Sequence, residues 1–236
     1  MTYTILGRCP RTGRMGIGIA TFSITVGRYC RGVKAMTGVT ISQAFANERN
    51  NKLALRLLGQ GFAAQSVLDQ LLKNDRYFEY RQIGVIDRDG TAVAYSGPRT
   101  RGYSGHVVGD NHVAFGNGLV GSKVAEAIAA GFLAKPDADL EERLLMGIEA
   151  GRDAGGQGTI DDHKPERSAA LLVYSQHPYP DIDLRVDLHP TAVEELRRVY
   201  SEYKPYEAYY RERERNPRGA LPQEQFMAAL TSRAAQ

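Results

Sequence analysis

Apolar and polar side chains alternate at the start of the chain, which predicts a strand over residues 3–9. A turn at residues 10–14 contains a glycine that can adopt positive φ, and it leads to a second predicted strand over residues 15–25. A third strand is predicted over residues 38–44. The chain therefore opens with a β-sheet.

The rest of the pattern alternates between paired helices and blocks of strands. Helices are predicted over residues 52–58, 63–73, 122–132 and 140–154 and from Pro190, and strands over residues 81–86, 91–95, 106–108, 112–115, 168–174 and 182–187. A doubly wound fold would instead alternate single strands with single helices. The order predicts an α+β sandwich in layers, with two mainly antiparallel sheets.

The character of the chain changes near residue 200, so we predict a domain over residues 1–200 and a helical C-terminal extension over residues 201–236, with a last short helix over 221–230. Five of the 13 tyrosines cluster at this boundary, beside an alternating Arg/Glu run: Tyr200, Tyr203, Tyr206, Tyr209 and Tyr210. Such an aromatic stripe can form an oligomer surface, or it can pack back on the core. We expect a homo-oligomer, with the 201–236 tail as a candidate interface.

Charge and cysteine content narrow the function classes. The chain has 30 basic and 27 acidic residues, a balance that does not favour binding to nucleic acid or to a membrane surface. The two cysteines show no metal-type spacing, so no metal or other cofactor is expected. With neither a signal peptide nor a long apolar run, a cytoplasmic location is expected. Cys30 lies between arginines that would lower its pKa, although a plain structural cysteine is the simpler interpretation.

The first two residues offer candidate chemistry. A start methionine before a small residue such as Thr2 is a good substrate for methionine removal. Removal would leave Thr2 with a hydroxyl and a free α-amine, whose unperturbed pKa of about 7.7–8 leaves part of it neutral near pH 7. The amine can then act as general base for the hydroxyl of the same residue. The alternative is an ordinary first strand that happens to contain a threonine.

Several collinear segments between about residues 1 and 200 resemble one family. They are Met1-Thr2-Tyr3-Thr4-Ile5, Arg81-Gln82-Ile83-Gly84-Val85-Ile86-Asp87, Gly105-His106-Val107-Val108-Gly109 with Gly116-Asn117, Ser168-Ala169-Ala170-Leu171-Leu172-Val173, and Asp183-Leu184-Arg185-Val186-Asp187 with His189-Pro190. The chain is identified as a member of the DUF1028 family, which is placed in the N-terminal nucleophile (Ntn) hydrolase superfamily. The resemblance implies a four-layer αββα sandwich and Thr2 as the nucleophile.

The resemblance also suggests residues around Thr2. Lys34 lies at a chain offset similar to that of the catalytic lysine in proteasome-type relatives, Ser23 could hydrogen-bond the nucleophile, and Asn117 could donate to an oxyanion. Candidate substrate-binding residues are Asn47, Gln43, His106, Gln157 and Arg167. The alternatives are a surface lysine for Lys34, turn roles for Asn47 and Asn117, and a structural histidine for His106.

Two segments depart from the family pattern, at three positions. The family's GGD appears as Gly155-Gly156-Gln157, and its RQSAA appears with Glu166 and Arg167 in the first two places. The glycine-rich segment 155–167 is predicted to be mobile and to border the ligand pocket.

The leading hypothesis is an amidohydrolase that cleaves an amide-like C–N bond in a small polar molecule. The alternative is a non-catalytic Ntn-fold protein for binding or assembly, which the changes at Gln157 and Arg167 favour.

Overall fold

A computed structural model describes residues 1–234, in two compact units: residues 1–196, and the residues from 197 onward. The strands are β1 (Thr2–Arg8), β2 (Met15–Thr21), β3 (Val33–Lys34), β4 (Gly38–Ala44), β5 (Arg81–Asp87), β6 (Ala92–Ser96), β7 (Tyr103–Gly109), β8 (His112–Leu119), β9 (Gln157–Gly158), β10 (His163–Lys164), β11 (Ser168–Tyr174) and β12 (Ile182–Val186). The helices are α1 (Glu48–Gly59), α2 (Ala64–Asn74), α3 (Ser122–Leu133), α4 (Leu140–Asp153), α5 (Ala192–Arg215) and α6 (Gln223–Ala234).

The strands of the first unit form two antiparallel sheets. The larger sheet has the order β10-β9-β8-β1-β2-β11-β12, with β7 also paired to β8, and the smaller has the order β3-β4-β5-β6. Helices α3 and α4 cover the outer face of the larger sheet, and α1 and α2 cover the outer face of the smaller one. The predicted α+β sandwich with two antiparallel sheets is confirmed, and its layers follow the order αββα.

Strand β1 lies in the middle of the larger sheet, and its residues 3–7 are all buried. Tyr3 and Ile5 point to the helix layer, where Tyr3 meets Gly151 of α4. Leu6 points to the smaller sheet and joins the core between the sheets. Gly84 of β5 permits this close packing, because a Cβ there would lie 2.9 Å from Cδ1 of Leu6.

The observed elements differ from the predicted ones at three places near the site. Strand β2 ends at Thr21 rather than continuing to residue 25, and a 3-10 turn follows at Val26–Tyr29. Helix α1 starts at Glu48, four residues earlier than predicted, because Asn47 caps it. Asn117 lies within β8, so the turn role that was considered as an alternative for this residue is wrong.

In the second unit, the tyrosines of the tail pack against the last helix. The ring of Tyr209 stacks on Phe226 of α6 with centroids 4.0 Å apart, and its hydroxyl donates to the carbonyl of Leu221 at 2.9 Å. Tyr206 meets Phe226 edge-on at 5.3 Å. The cluster thus joins α5 and α6. Self-association through the tail stays a prediction, and residues 235–236 of it lie outside the described residues.

A chain of buried polar side chains, which we call the polar bridge (Thr4, Gln43, Gln82 and Asn117), connects the two sheets. Thr4 Oγ1 donates to Gln43 Oε1 at 2.6 Å, and Gln43 Nε2 donates to Gln82 Oε1 at 2.9 Å. Asn117 Nδ2 donates to the same Gln82 oxygen at 3.1 Å. Gln82 Nε2 in turn donates to the Gly116 carbonyl at 2.7 Å. All four residues are buried, so the sheets are held together at this end by satisfied polar groups.

We predict that Gln82→Met lowers the free energy of unfolding by about 3 kcal/mol or more. Methionine fills a similar volume, but it leaves the amides of Gln43 and Asn117 without their acceptor, and each buried unsatisfied group costs about 1–3 kcal/mol. Urea unfolding monitored by circular dichroism would measure the loss. The matched control is Gln65→Met at an exposed position of α2, which should change the free energy of unfolding by less than about 0.5 kcal/mol. Equal stability of the two variants would contradict a supporting role for the bridge.

Candidate active site

Four polar residues form a row across one end of the larger sheet. The register pairs Thr2 of β1 with Asn117 of β8 and with Thr21 of β2, and it pairs Thr21 with Ser168 of β11. Directly opposed residues share a face of a sheet, and neighbouring strands lie about 4.8 Å apart. Because Thr2 and Thr4 are on the same face of β1, the row faces the smaller sheet. It lies at the end of the space between the two sheets, a region that we call the cleft.

The hydroxyl of Thr2 is held in a small hydrogen-bonded cluster. Its Oγ1 lies 3.0 Å from Oγ1 of Thr21. Both hydroxyls donate to the Met1 carbonyl, at 2.7 Å from Thr2 and 2.5 Å from Thr21. The backbone N–H of Ser23 donates to Thr21 Oγ1 at 3.3 Å. Thr21 is therefore the side chain that contacts the candidate nucleophile, while Ser23, the predicted one, contributes a backbone donor.

The spacing of the first hairpin contains the signal that identifies Thr21, although the sequence prediction chose Ser23. The turn after Cys9 brings Arg8 opposite Met15. Counting back six residues along β1 and forward six along β2 from that pair places Thr2 opposite Thr21, because antiparallel register runs in opposite directions on the two strands.

The environment of Met1 shows what its removal would change. Its side chain packs on Gly118 of β8, where a Cβ would collide with Met1 Cγ. Partial burial, and secondly the charge of Arg101, lower the pKa of the Met1 α-amine below its ordinary value. With Met1 in place the nitrogen of Thr2 is part of a peptide bond and cannot act as a base. Loss of Met1 would place a free amine beside the Thr2 hydroxyl, in this same environment.

Asn117 lies beside Thr2 with one of its two amide protons committed to Gln82. The other proton is available for a further acceptor, although the side chain is almost fully buried. Gly118 follows with φ of 62°, a conformation that favours glycine. A donor for an oxyanion from this segment is compatible with the geometry.

The segment 155–167 lies next to the row. Gln157 is fully buried, and its Oε1 accepts from the backbone N–H of Phe22 at 3.0 Å. Its Nε2 donates to Oε1 of buried Glu166 at 3.3 Å. Arg167 donates its backbone N–H to the Thr21 carbonyl at 2.8 Å, and its guanidinium carbon lies 5.5 Å from the centre of the Phe22 ring. Both ends of the segment thus support the residues around Thr21.

Two residues that were predicted to belong to the site, Lys34 and Asn47, make contacts that support the fold instead. Lys34 pairs with Gly38 at the far end of β4 from Gln43, and its Nζ lies near Gly59 of α1, so the structure does not bring it to Thr2. Asn47 Oδ1 caps α1, and its Nδ2 donates to Asp75 at 3.0 Å. The turn role considered for Asn47 fits this geometry.

Gln43 and His106 lie at the two ends of one hydrogen-bonded path. The amide oxygen of Gln43 accepts from Thr4 and its amide nitrogen donates to Gln82, so both ends of this buried side chain are committed to the polar bridge. His106 is exposed on β7, with Nδ1 3.0 Å from Ser96 Oγ, and partial burial lowers its pKa. Ser96 accepts from Gln82 Nε2, so His106 is connected to the bridge and through it to Asn117.

An activated Cys30 thiol and a metal site receive no support from this geometry. Burial raises the pKa of Cys30 to about 12, so its thiol is not activated. Across residues 1–234 no group of three or more His, Cys, Asp or Glu side chains is arranged to hold a metal ion. None of the helices in this range is both long and apolar enough to cross a membrane.

We predict that Gln157→Glu is destabilising by about 2–5 kcal/mol at pH 7. It replaces the amide donor by a second carboxylate at 3.3 Å from Glu166, in a buried site. Burial and like charge raise the pKa of the carboxyl pair above the unfolded value of about 4.3. A raised folded pKa favours folding at low pH, so the loss should shrink at pH 5 and grow towards pH 8.

Urea unfolding at pH 5, 7 and 8 would measure this loss, with Gln157→Glu/Glu166→Gln as the control. The double variant restores one amide and one carboxylate and should recover most of the stability. A destabilisation that did not vary with pH would show that the two carboxyl groups do not interact.

Comparison with known proteins gives the family. The family model described as a family of unknown function (DUF1028) matches residues 2–196. A crystal structure of a DUF1028 protein from Silicibacter pomeroyi is similar, with a TM-score of 0.77 and 27% identity over 86% of each chain. The search of curated proteins gave no match.

Two further solved structures are similar at a much lower level. One is Thiobacillus denitrificans BPH in complex with epoxomicin, with a TM-score of 0.35 and 13% identity over 75% of this chain and 100% of that one. The other is Anbu (ancestral beta-subunit) from Yersinia bercovieri, with a TM-score of 0.37 and 11% identity over 85% of this chain and 93% of that one. Similarity at these TM-scores is too weak to support a shared mechanism. The family match, which spans most of the chain, shows that this chain belongs to the DUF1028 family.

Proposed function

We propose that the protein is an Ntn-type amidohydrolase that cleaves an amide-like C–N bond of a small polar molecule, with Thr2 as nucleophile after removal of Met1. The observation that carries the proposal is the position of Thr2 Oγ1. It lies at the end of the central strand, on the face towards the smaller sheet, and 3.0 Å from a second hydroxyl on Thr21. A nucleophile held in this way meets the requirement for a fixed reacting geometry.

The reaction would proceed in two steps. Thr2 Oγ1 attacks the amide carbonyl carbon while the Thr2 α-amine takes its proton. The C–N bond then breaks, the leaving nitrogen receives that proton, and an acyl ester remains on Thr2. Water, deprotonated by the same amine, hydrolyses the ester and restores the hydroxyl. The Asn117–Gly118 segment is the candidate oxyanion donor, and Arg101, whose charge lowers the pKa of the Met1 amine, is a candidate cation to favour the neutral form of the Thr2 amine.

A non-catalytic role is favoured by one observation. With Met1 present, its carbonyl accepts from both hydroxyls and its side chain covers Gly118. A protein that kept Met1 would have Met1 against the Thr2 hydroxyl and no free amine on Thr2 itself. The intact mass of the purified protein distinguishes the two functions, because the enzyme must have lost one methionine.

We predict that Thr2→Ala abolishes turnover and that Thr2→Ser retains part of it. Alanine at position 2 still allows methionine removal, so Thr2→Ala keeps the amine and removes the nucleophile. Loss of a nucleophile typically lowers kcat on the order of 10⁴-fold or more. One extra residue placed before Thr2 should have the same effect, because it blocks the amine. Release of ammonia or amine from a panel of amides, ureas and cyclic imides is the measurement. Turnover of Thr2→Ala comparable to the parent would locate the chemistry elsewhere.

Thr21 should act as a positioning residue. We predict that Thr21→Val, which keeps the shape of the side chain, lowers kcat by about 10–100-fold, since it removes the hydroxyl that fixes Thr2 Oγ1. Thr21→Ser should stay near the parent. A merely structural role would instead lower the melting temperature of Thr21→Val and leave the kcat of the folded fraction unchanged.

A further inference from the structure

Arg101 lies on the loop between β6 and β7, and this loop crosses the mouth of the cleft. The next residue, Gly102, packs on the larger sheet, where a Cβ would lie 2.9 Å from Cα of Gly118. The guanidinium carbon of Arg101 lies 5.4 Å from the centre of the ring of Phe45, which follows β4 in the smaller sheet. Arg101 therefore spans the two sheets at the end of the cleft where Thr2 lies.

The charge of Arg101 is available to a ligand. The side chain is exposed, and no carboxylate within residues 1–234 pairs with it. The charge of Arg101 acts on the chain terminus, because it is the second cause, after burial, that lowers the pKa of the Met1 amine. A guanidinium held beside an aromatic ring, on the loop that packs against Gly118, presents a fork of donors that suits a carboxylate.

Two further arginines, Arg99 and Arg76, contribute positive charge through side chains that contact tyrosine rings. Arg99 Nη1 donates to the hydroxyl of Tyr80 at 3.0 Å, and the Tyr80 ring contacts Phe45 edge-on at 5.6 Å. Arg76 Nη2 donates to the hydroxyl of Tyr77 at 2.6 Å. The carboxylate of Glu79 lies close enough to act on Arg99. Arg99 and Arg101 both lie on the loop between β6 and β7, so with Glu79 as the carboxylate acting on Arg99 this loop keeps an excess of positive charge that would attract anions.

We propose that Arg101 binds a carboxylate of the substrate, so that the protein acts on amides that carry a carboxylate group. The statement about substrate class rests on the proposed function at Thr2. The recognition of the carboxylate by Arg101 does not need catalysis and can be measured without it.

The experiment uses two isosteric pairs, succinamate with neutral succinamide and glutaramate with neutral glutaramide. Calorimetric titration of the processed Thr2→Ala variant measures binding without turnover. We expect the carboxylates to bind about 10–100-fold more tightly than the neutral amides, as a charge-assisted hydrogen bond provides. Adding Arg101→Gln should remove the difference, and Arg101→Lys should keep part of it. The matched control is Arg56→Gln at an exposed position of α1, which should leave the four binding affinities unchanged.

Ammonia release by the parent and by Arg101→Gln, from the same four compounds, completes the test. Preference of the parent for the carboxylates in kcat/KM, lost in Arg101→Gln, would support the proposal. Equal turnover of charged and neutral amides with no effect of Arg101→Gln would overturn it and leave the reaction at Thr2 standing. Arg101-dependent binding without ammonia release from any form would overturn the reaction at Thr2 and leave carboxylate recognition by Arg101 standing. Failure of both carboxylates to bind, or binding that Arg101→Gln does not weaken, would overturn carboxylate recognition.

Discussion

The burial of β1 is the constraint on which the candidate site depends. Pairing with β2 on one edge and β8 on the other leaves the strand no free edge, and its two faces pack on the helix layer and on the smaller sheet. A strand restrained on four sides cannot shift its register, because a slip of one residue would move Tyr3 and Ile5 into the wrong layer. Thr2, as its first residue, is therefore placed as firmly as the core itself, although the N-terminus before it is open to solvent.

The same constraint explains why the space between the sheets changes character along β1. Around Leu6 the sheets meet through aliphatic side chains, and around Thr4 they meet through the polar bridge. Buried amides destabilise a core unless every group is satisfied, and Gln82 achieves this by accepting from two side chains and donating to three acceptors with its two protons. The bridge also fixes the rotation of Asn117. Polar character thus increases towards the end of the cleft where the hydroxyls of Thr2 and Thr21 lie.

The periodicity of the sequence predicted the fold well because the strands and helices bury one regular face each. It failed where local composition and tertiary pairing disagree. Gly116-Asn117-Gly118 has the composition of a loop, yet it lies within β8 and its first two residues pair with β1. Glycine suits position 116 because a Cβ there would lie 2.7 Å from Leu119 Cδ2. The offset that suggested Lys34 assumes that the chain after β2 follows the path of the relatives. Here a 3-10 turn and the two-residue β3 carry Lys34 to the Gly38 end of β4. Arg101 was missed because nothing in a loop sequence shows which sheet edge it will cross.

Two of the three departures from the family pattern, Gln157 and Glu166, contact each other in the structure. These two changes therefore occupy one site rather than two. A chain with the family's aspartate and arginine at these positions would carry opposite charges there, whereas this chain has an amide that donates to a carboxylate. Either combination is attractive. Changing only the second position of the family pair would place two carboxylates together in a buried site, and changing only the first would place an amide beside a cation. Both amide groups of Gln157 are occupied, and its other partner is the backbone of Phe22. The pair therefore supports the strand end that carries Thr21, and its altered chemistry is compatible with an intact nucleophile at Thr2.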